Sequence, residues 1–226
     1  MAPAFAIALV ALVLLYVARV PLLNAYESAM YRLFPSAARA YAYGERHFNA
    51  TNPQEYDIVR ASYYFNESAR IDPQYGAVYH ELGRIQFLKG NYISALRLIN
   101  RQIELHGDQV PNAYYMRGLI EGYMGRYGDA VKDYGYFLQR DPNNWAAIND
   151  YSWVLLKAGR PSDALAATDK GLVIFPSNPW LLNSNSIALY ELKRYGEALS
   201  QAQAAARNFS SVTRAEWLGA YPGNDP

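Results

Sequence analysis

Histidine and acidic side chains are the groups of this chain that could do chemistry at neutral pH, and their spacing predicts none. The three histidines, His47, His80 and His106, are scattered and lack metal-ligand spacing. His80 and Glu81 are adjacent, so on a helix their side chains should point in different directions. No glycine-rich phosphate loop follows a strand pattern. We therefore expect no enzyme, with no catalytic, cofactor-binding or metal-binding residue.

Composition excludes two further classes of function. The 226 residues include 21 Lys and Arg against 20 Asp and Glu, a formal net charge of +1, which offers no case for nucleic-acid binding. The chain has no cysteine, which excludes disulfides and thiolate metal sites. Charged residues make up only 18%, whereas 21 residues are tyrosine. A surface with little charge and much tyrosine predicts extensive contact with another polypeptide.

Four alanines define a sequence repeat. Ala95, Ala130, Ala164 and Ala198 follow one another at intervals of 35, 34 and 34 residues. A small residue stands twelve positions before each of them, and a Gly or Pro that ends a helix stands twelve positions after the first three. A period of 34 predicts a helix-turn-helix unit that buries its apolar face by stacking on copies of itself.

The best copy of the repeat reads Tyr79-His-Glu-Leu-Gly83, followed by Gly90-Asn-Tyr-Ile-Ser-Ala95. These segments resemble the W-x-x-L-G and G-x-Y-x-x-A elements of the tetratricopeptide repeat (TPR) family. The resemblance covers about residues 37–210 and implies an all-α, right-handed solenoid of four to five repeats. The expected units are a degenerate first repeat at 37–75, then 76–110, 111–144, 145–178 and 179–210. In residues 211–226 we expect a short capping segment, through Trp217 and Leu218, and a tail; the alternative is an end open to another subunit.

The N-terminal segment is apolar. Residues 1–18 contain no charge and include nine large apolar residues, which are Phe5, Ile7, Leu9, Val10, Leu12, Val13, Leu14, Leu15 and Val17. As a helix, residues 1–23 would span roughly 30 Å, which predicts an anchor held in a bilayer or in the centre of an assembly. Pro21 should kink or break this helix before a juxtamembrane helix or linker at 24–36. A cleaved signal peptide is the alternative, although no basic residue precedes the apolar run.

Orientation and modification depend on this anchor. Arg19, Arg32 and Arg39 follow the apolar run, so the positive-inside rule favours repeats on the cytoplasmic side. Extracellular repeats, as in a cell-surface filament, are the alternative. In that case three N-x-S/T sequons are possible glycosylation sites, at Asn49, Asn66 and Asn208. Otherwise these asparagines are ordinary polar residues.

The TPR resemblance implies a partner-binding groove, lined by the outward-facing positions of each first helix. In this sequence those positions are His80, Arg84, Phe87, Tyr115, Leu119, Tyr123, Asn149, Trp153, Leu156, Asn183, Ile187 and Tyr190. Most are aromatic or apolar, which fits an apolar or helical segment of a partner protein. The Lys and Asn pattern of TPR proteins that bind acidic chaperone tails is absent.

Two functions remain open at this point. The first is a non-enzymatic interaction scaffold, anchored in a membrane by residues 1–23 as a single-pass protein, which holds a partner protein or membrane complex. The alternative is a structural subunit of a self-assembling filament or extracellular assembly, with the N-terminal helix in its core. The partner is then a protein segment or copies of the chain itself, with no nucleic acid and no cofactor.

Overall fold

The computed structural model describes residues 2–50, 54–213 and 217, without the side chains of residues 2–17. Across these residues the structure is helical and has no β-strand, so the all-α prediction is confirmed. The helices are α1 Ala2–Leu33, α2 Ala37–Phe48, α3 Ile58–Ile71, α4 Val78–Leu88, α5 Tyr92–His106, α6 Pro111–Tyr123, α7 Tyr127–Leu138, α8 Trp145–Lys157, α9 Pro161–Ile174, α10 Pro179–Glu191 and α11 Tyr195–Phe209, with a 3-10 turn at Gly107–Gln109.

The chain forms two compact units, unit 1 at Met1–Asn91 and unit 2 at Tyr92–Pro226. This division falls inside the predicted repeat 76–110, between α4 and α5. The exact repeat boundaries stay a prediction. Leu218 and most of the predicted capping segment lie outside the described residues.

Unit 1 is built on a hairpin of α2 and α3. The Ser36 side chain accepts a hydrogen bond from the Arg39 backbone N–H and so caps the start of α2. Within α2, a Cβ atom at Gly44 would lie 2.7 Å from ring carbons of Phe65. This close approach between the two helices explains why glycine stands at that position of α2.

Helix α1 is held on this hairpin by polar contacts. The buried carboxylate of Glu27 lies 2.9 Å from Nε2 of His47 and also pairs with Arg46. The Tyr31 hydroxyl donates to Glu67 in α3 at 2.8 Å. Burial alone would raise the pKa of Glu27, but the hydrogen bonds from its two basic partners hold that pKa below its usual value.

Pro21 was predicted to kink or break the N-terminal helix, and the structure shows no break. Pro21 lies inside α1, which continues to Leu33 without a separate segment at 24–36. A proline removes one hydrogen bond of a helix and crowds one carbonyl group. The residues beyond it are fixed by tertiary contacts, through Glu27 and Tyr31, and these contacts favour continuation of the helix.

The predicted localisation, a single-pass membrane protein, is also wrong. Of the helices in the described part of the chain, none is both long and apolar enough to cross a membrane. The described side chains of α1 include Arg19, Glu27 and Arg32, and Glu27 is buried in the polar contacts with α2. The predicted anchor residues, Phe5, Ile7, Leu9, Val10, Leu12, Val13, Leu14, Leu15 and Val17, have side chains outside the described set.

Unit 2 contains three consecutive hairpins, α6/α7, α8/α9 and α10/α11, which also pack on one another. Their first helices begin at Pro111, Trp145 and Pro179, so the sequence period reappears as a 34-residue spacing of structure. The repeated alanines of this unit pack at the helix contacts: Ala95, Ala130 and Ala164 are fully buried, and Ala198 is buried too. A methyl group at these positions allows neighbouring helices to approach closely.

The turns inside the hairpins share a left-handed residue. Gly125 and Gly159 have φ angles of 76° and 71°, which glycine adopts without strain. The equivalent residue of the last hairpin is Lys193, with a φ angle of 63°. The common backbone conformation brings the end of each first helix and the start of each second helix together in the same way.

Candidate protein-binding surface

The predicted groove positions of unit 2 lie on α6, α8 and α10, and we call them the first-helix face. It consists of Tyr115, Leu119, Tyr123, Asn149, Trp153, Leu156, Asn183, Ile187 and Tyr190. The structure divides these nine residues into two groups. Some pack between successive hairpins, and others expose their side chains.

Tyr115 belongs to the packing group. Its hydroxyl donates to Oδ2 of Asp150 in α8 at 2.6 Å. Its ring lies 5.5 Å from that of Tyr134 and 5.3 Å from that of Phe137. Burial, together with the neighbouring Asp150 carboxylate, raises the pKa of Tyr115 well above its usual value. This residue therefore joins α6 to α8 and does not offer its hydroxyl to a ligand.

Three further positions of the face also pack internally. Leu119 lies against the core of Ala130, Tyr134 and Val154, and Leu156 lies against the core around Leu155 and Ala164. Asn149 accepts a hydrogen bond from the Ser184 hydroxyl at 2.7 Å, which joins α8 to α10. Sequence position alone does not separate these residues from the exposed ones.

Aromatic rings form the exposed part of the face. Tyr123 is 56% exposed, and its ring centre lies 5.6 Å from that of the partly buried Trp153. The ring centre of Tyr127 lies 6.5 Å from that of Trp153, and the ring centre of Tyr92 lies 5.9 Å from that of Tyr123. These rings meet at the hairpin turns, where α5, α6, α7 and α8 contribute one or more residues each.

The last hairpin exposes four large apolar or aromatic side chains around one groove. Ile187 and Tyr190 of α10 are 43% and 62% exposed, and Tyr195 and Leu199 of α11 are 57% and 61% exposed. They line an open groove with a volume of about 550 Å³. The predicted groove missed Tyr195 and Leu199 because it used first helices only. Tyr195 and Leu199 stand two repeats after Tyr127 and Val131, which pack against the next hairpin. This correspondence was the sequence signal that could have identified them.

The predicted positions of unit 1 are engaged in a local polar cluster. Contrary to expectation, His80 and Glu81 do meet, with Nδ1 2.9 Å from Oε1, because the two flexible side chains bend towards each other. Arg84 donates to Glu81 at 2.7 Å and lies over the Phe48 ring at 4.6 Å. Burial opposes ionisation of Glu81, but hydrogen bonds from His80 and Arg84 lower its pKa. Phe87 is partly buried in α4.

Acidic side chains with raised pKa values have structural explanations. Arg117 donates to both carboxylate oxygens of Asp133, at 2.6 Å and 2.7 Å. One buried oxygen of Glu121 has no hydrogen-bond partner. Burial and the Asp133 charge raise the pKa of Glu121 to about 7. Among the described residues, no group of three or more His, Asp or Glu side chains could hold a metal ion.

The three sequons occupy ordinary positions. Asn49 is the residue that ends α2, and Asn66 lies within α3, where its side chain donates to the Ser62 carbonyl. Asn208 lies in α11 and donates to the Ser177 carbonyl at 3.0 Å. Glycosylation of these residues stays a prediction.

Comparisons with known proteins support the repeat. Residues 115–179 match a family model described as tetratricopeptide repeat, and no curated protein matches the chain. A solved structure of the MamA protein superposes with a TM-score of 0.65 at 16% identity, covering 83% of this chain and 96% of the other. The structure of YrrB, described as a TPR protein with an unusual peptide-binding site, has a TM-score of 0.64 at 14% identity and covers 77% and 87%. Residues 115–179 are thus similar to tetratricopeptide repeats, and the described residues of the chain have an all-helical, TPR-like fold.

Proposed function

We propose that the protein is a non-enzymatic interaction scaffold and that unit 2 binds an apolar or helical segment of a partner protein. The observation that carries this proposal is the exposure of large apolar side chains on the first-helix face, at Tyr123, Ile187 and Tyr190. Exposed aromatic side chains on a rigid support give a large contact area at low entropic cost. The peptide-binding site described for YrrB, which has a similar fold, is consistent with this use.

The packing within the face assigns different roles to its members. Tyr123 is the central contact residue, because its exposed ring is braced by Trp153 and Tyr92. The Asn183 amide is exposed beside Ile187 and offers hydrogen bonds to the backbone of a bound segment. Tyr115, Leu119 and Leu156 position these residues through the contacts between hairpins. His80, Arg84 and Phe87 stay proposed contact residues of unit 1.

A selected peptide tests the proposal. The full-length protein is used to select ligands from a library of helical peptides displayed on phage, and the affinity of the best ligand is measured by fluorescence anisotropy. Tyr123→Ala should weaken that ligand at least about tenfold, as expected for a central aromatic contact.

The matched control is Val173→Ala in α9, which removes a side chain that is 84% exposed on another helix. It should leave the affinity unchanged. Circular dichroism checks that both variants keep their helical content. Equal affinity of the Tyr123 variant and the wild-type protein for every selected ligand would refute this use of the first-helix face.

A further inference from the structure

The exposed groove of the last hairpin corresponds to the surface that the next repeat covers in the earlier hairpins. We call it the end face and define it by Ile187 and Tyr190 of α10 and Tyr195 and Leu199 of α11. Its remaining lining residues are small, and none of them is charged. It differs from the first-helix face because half of it belongs to the second helix of the hairpin.

Earlier hairpins show what this surface binds. On α7, the residues in register with the end face receive α8: Trp153 packs edge-on against Tyr127, and Val154 packs against Ala130 and Tyr134. Tyr195 stands 68 residues, or two repeats, after Tyr127. The end face therefore corresponds to the surface on which α7 binds α8 and α9 binds α10. The helix that fits it is the first helix of a hairpin.

The bound helices share a spacing. In α10, Leu181 lies over Gly171, the Asn185 amide donates to Thr168 at 3.0 Å, and Ala188 packs in the core with Ala164 and Leu155. These three residues of α10 stand at i, i+4 and i+7. In α8 the residue at i+6 is the Trp153 knob. An occupant of the end face should place contact residues at i, i+4 and i+7, as α8 and α10 do, and a large ring at i+6, as α8 does.

The sequence of α1 contains that pattern. Val10, Leu14 and Val17 stand at i, i+4 and i+7, and Tyr16 stands at i+6. The first eighteen residues carry no charge, which matches the uncharged lining of the end face. In the chain's own next register Ala215, Gly219 and Pro222 stand at i, i+4 and i+7, and Tyr221 stands at i+6. This segment fits less well because Gly and Pro oppose helix formation.

We propose that the end face of one copy binds the N-terminal half of α1 from a second copy, with Tyr16 placed against Tyr195. The contact joins unlike surfaces, so each copy keeps one free donor helix and one free acceptor face, and association continues head to tail. The inference goes beyond the proposed partner binding, since it uses α1 and α11, which the first-helix face does not include.

Cysteine cross-linking tests the contact directly, because the natural chain has no cysteine. A chain carrying Tyr16→Cys is mixed with a differently tagged chain carrying Leu199→Cys under mild oxidation. The expected product is a disulfide-linked pair of the two tags. The matched control replaces Leu199→Cys by Val173→Cys in α9 and should give at least tenfold less of that pair. Equal yields with both acceptors, or products of Tyr16→Cys chains with themselves alone, would overturn the proposal.

A complementation experiment tests the direction of the contact. Leu199→Asp keeps the donor helix and disables the acceptor face, whereas Leu14→Asp keeps the acceptor face and disables the donor helix. In sedimentation or light scattering each variant alone should remain monomeric, and their mixture should form a 1:1 pair and nothing larger. Wild type and Val173→Asp should form larger species as concentration rises. A monomeric wild type at all concentrations, or self-association of Leu199→Asp, contradicts the proposal.

Ile187 and Tyr190 belong to both surfaces, so the two proposals are separated through Tyr123, which the end face does not include. Leu199→Asp should keep full affinity for a selected peptide that Tyr123→Ala weakens, and Tyr123→Ala should keep self-association. Failure of one proposal therefore leaves the result for the other interpretable.

Discussion

Replacing Glu121 by glutamine should stabilise unit 2 above pH 7 and leave it unchanged near pH 4.5. Glu121 lies in α6 beside the Arg117–Asp133 ion pair, and one of its buried oxygens has no hydrogen-bond partner. Burial first, and then the charge of Asp133, raises the pKa of its carboxyl group from 4.5 to about 7. The folded protein thus holds the Glu121 proton more tightly than the unfolded chain does.

The sign and the size of the effect follow from this difference. Stability contributed by the protonated carboxyl group is present below pH 4.5 and is lost as the pH rises through about 7. At about 1.4 kcal/mol per pKa unit, the shift of the Glu121 pKa from 4.5 to about 7 would correspond to roughly 3 kcal/mol of stability if it were realised in full. Glu121 is only partly buried, so solvent screening reduces the expected effect to about 1–2 kcal/mol. Glutamine has the same shape and no charge, so it should recover that amount at pH 8.

Urea unfolding at several pH values measures the difference. The four tryptophans, at 145, 153, 180 and 217, all belong to unit 2, so their fluorescence follows this unit alone. The free energy of unfolding of Glu121→Gln minus that of the wild type should rise from zero at pH 4.5 to its plateau near pH 8. Glu191→Gln, at an exposed position of α10, is the control and should show no such rise. A difference that is constant with pH, or larger at pH 5 than at pH 8, would contradict the expected linkage.

Two further predictions concern packing and a buried hydrogen bond. Gly44→Ala should destabilise unit 1 by about 1–2 kcal/mol in thermal unfolding, because overpacking against Phe65 outweighs the gain in helix propensity. At the control position Gly128 a Cβ atom meets nothing within 4 Å, so Gly128→Ala should stabilise the protein by roughly 0.5 kcal/mol. Equal effects of the two substitutions would contradict this reasoning. Tyr115→Phe should cost about 1–3 kcal/mol in urea unfolding, because it removes the hydroxyl donor of Asp150. Burial already raises the pKa of Asp150, so the loss should be larger at pH 8 than at pH 4, and a loss independent of pH would argue against it.

The sequence predicted on which helices the residues of the candidate surface lie, but not which of their side chains are exposed. The TPR resemblance assigned Tyr123, Ile187 and Tyr190 to first helices, and they lie in α6 and α10; their role as contact residues stays a prediction. The sequence could not show that the Tyr115 hydroxyl donates a hydrogen bond to Asp150, which is 35 residues away. Each repeat position is packed or exposed according to the residue that the neighbouring hairpin supplies, and that residue differs from copy to copy.

The N-terminal helix shows the same limit. Its apolar first half and Pro21 predicted a membrane span with a break, because local hydropathy and proline chemistry were the available signals. The part of α1 beyond Pro21 is held by Glu27 and Tyr31, whose partners His47 and Glu67 lie 20 and 36 residues away. No local pattern in α1 indicates these contacts.

The sequence by itself determined the helical hairpin and its period, because small residues, caps and helix-ending residues act within a few positions of the chain. Tertiary structure alone decided which side chains are buried between hairpins, where α1 is held, and that Ile187, Tyr190, Tyr195 and Leu199 of the last hairpin are exposed. These outcomes depend on contacts between residues distant in sequence, for which periodicity gives the position but not the partner.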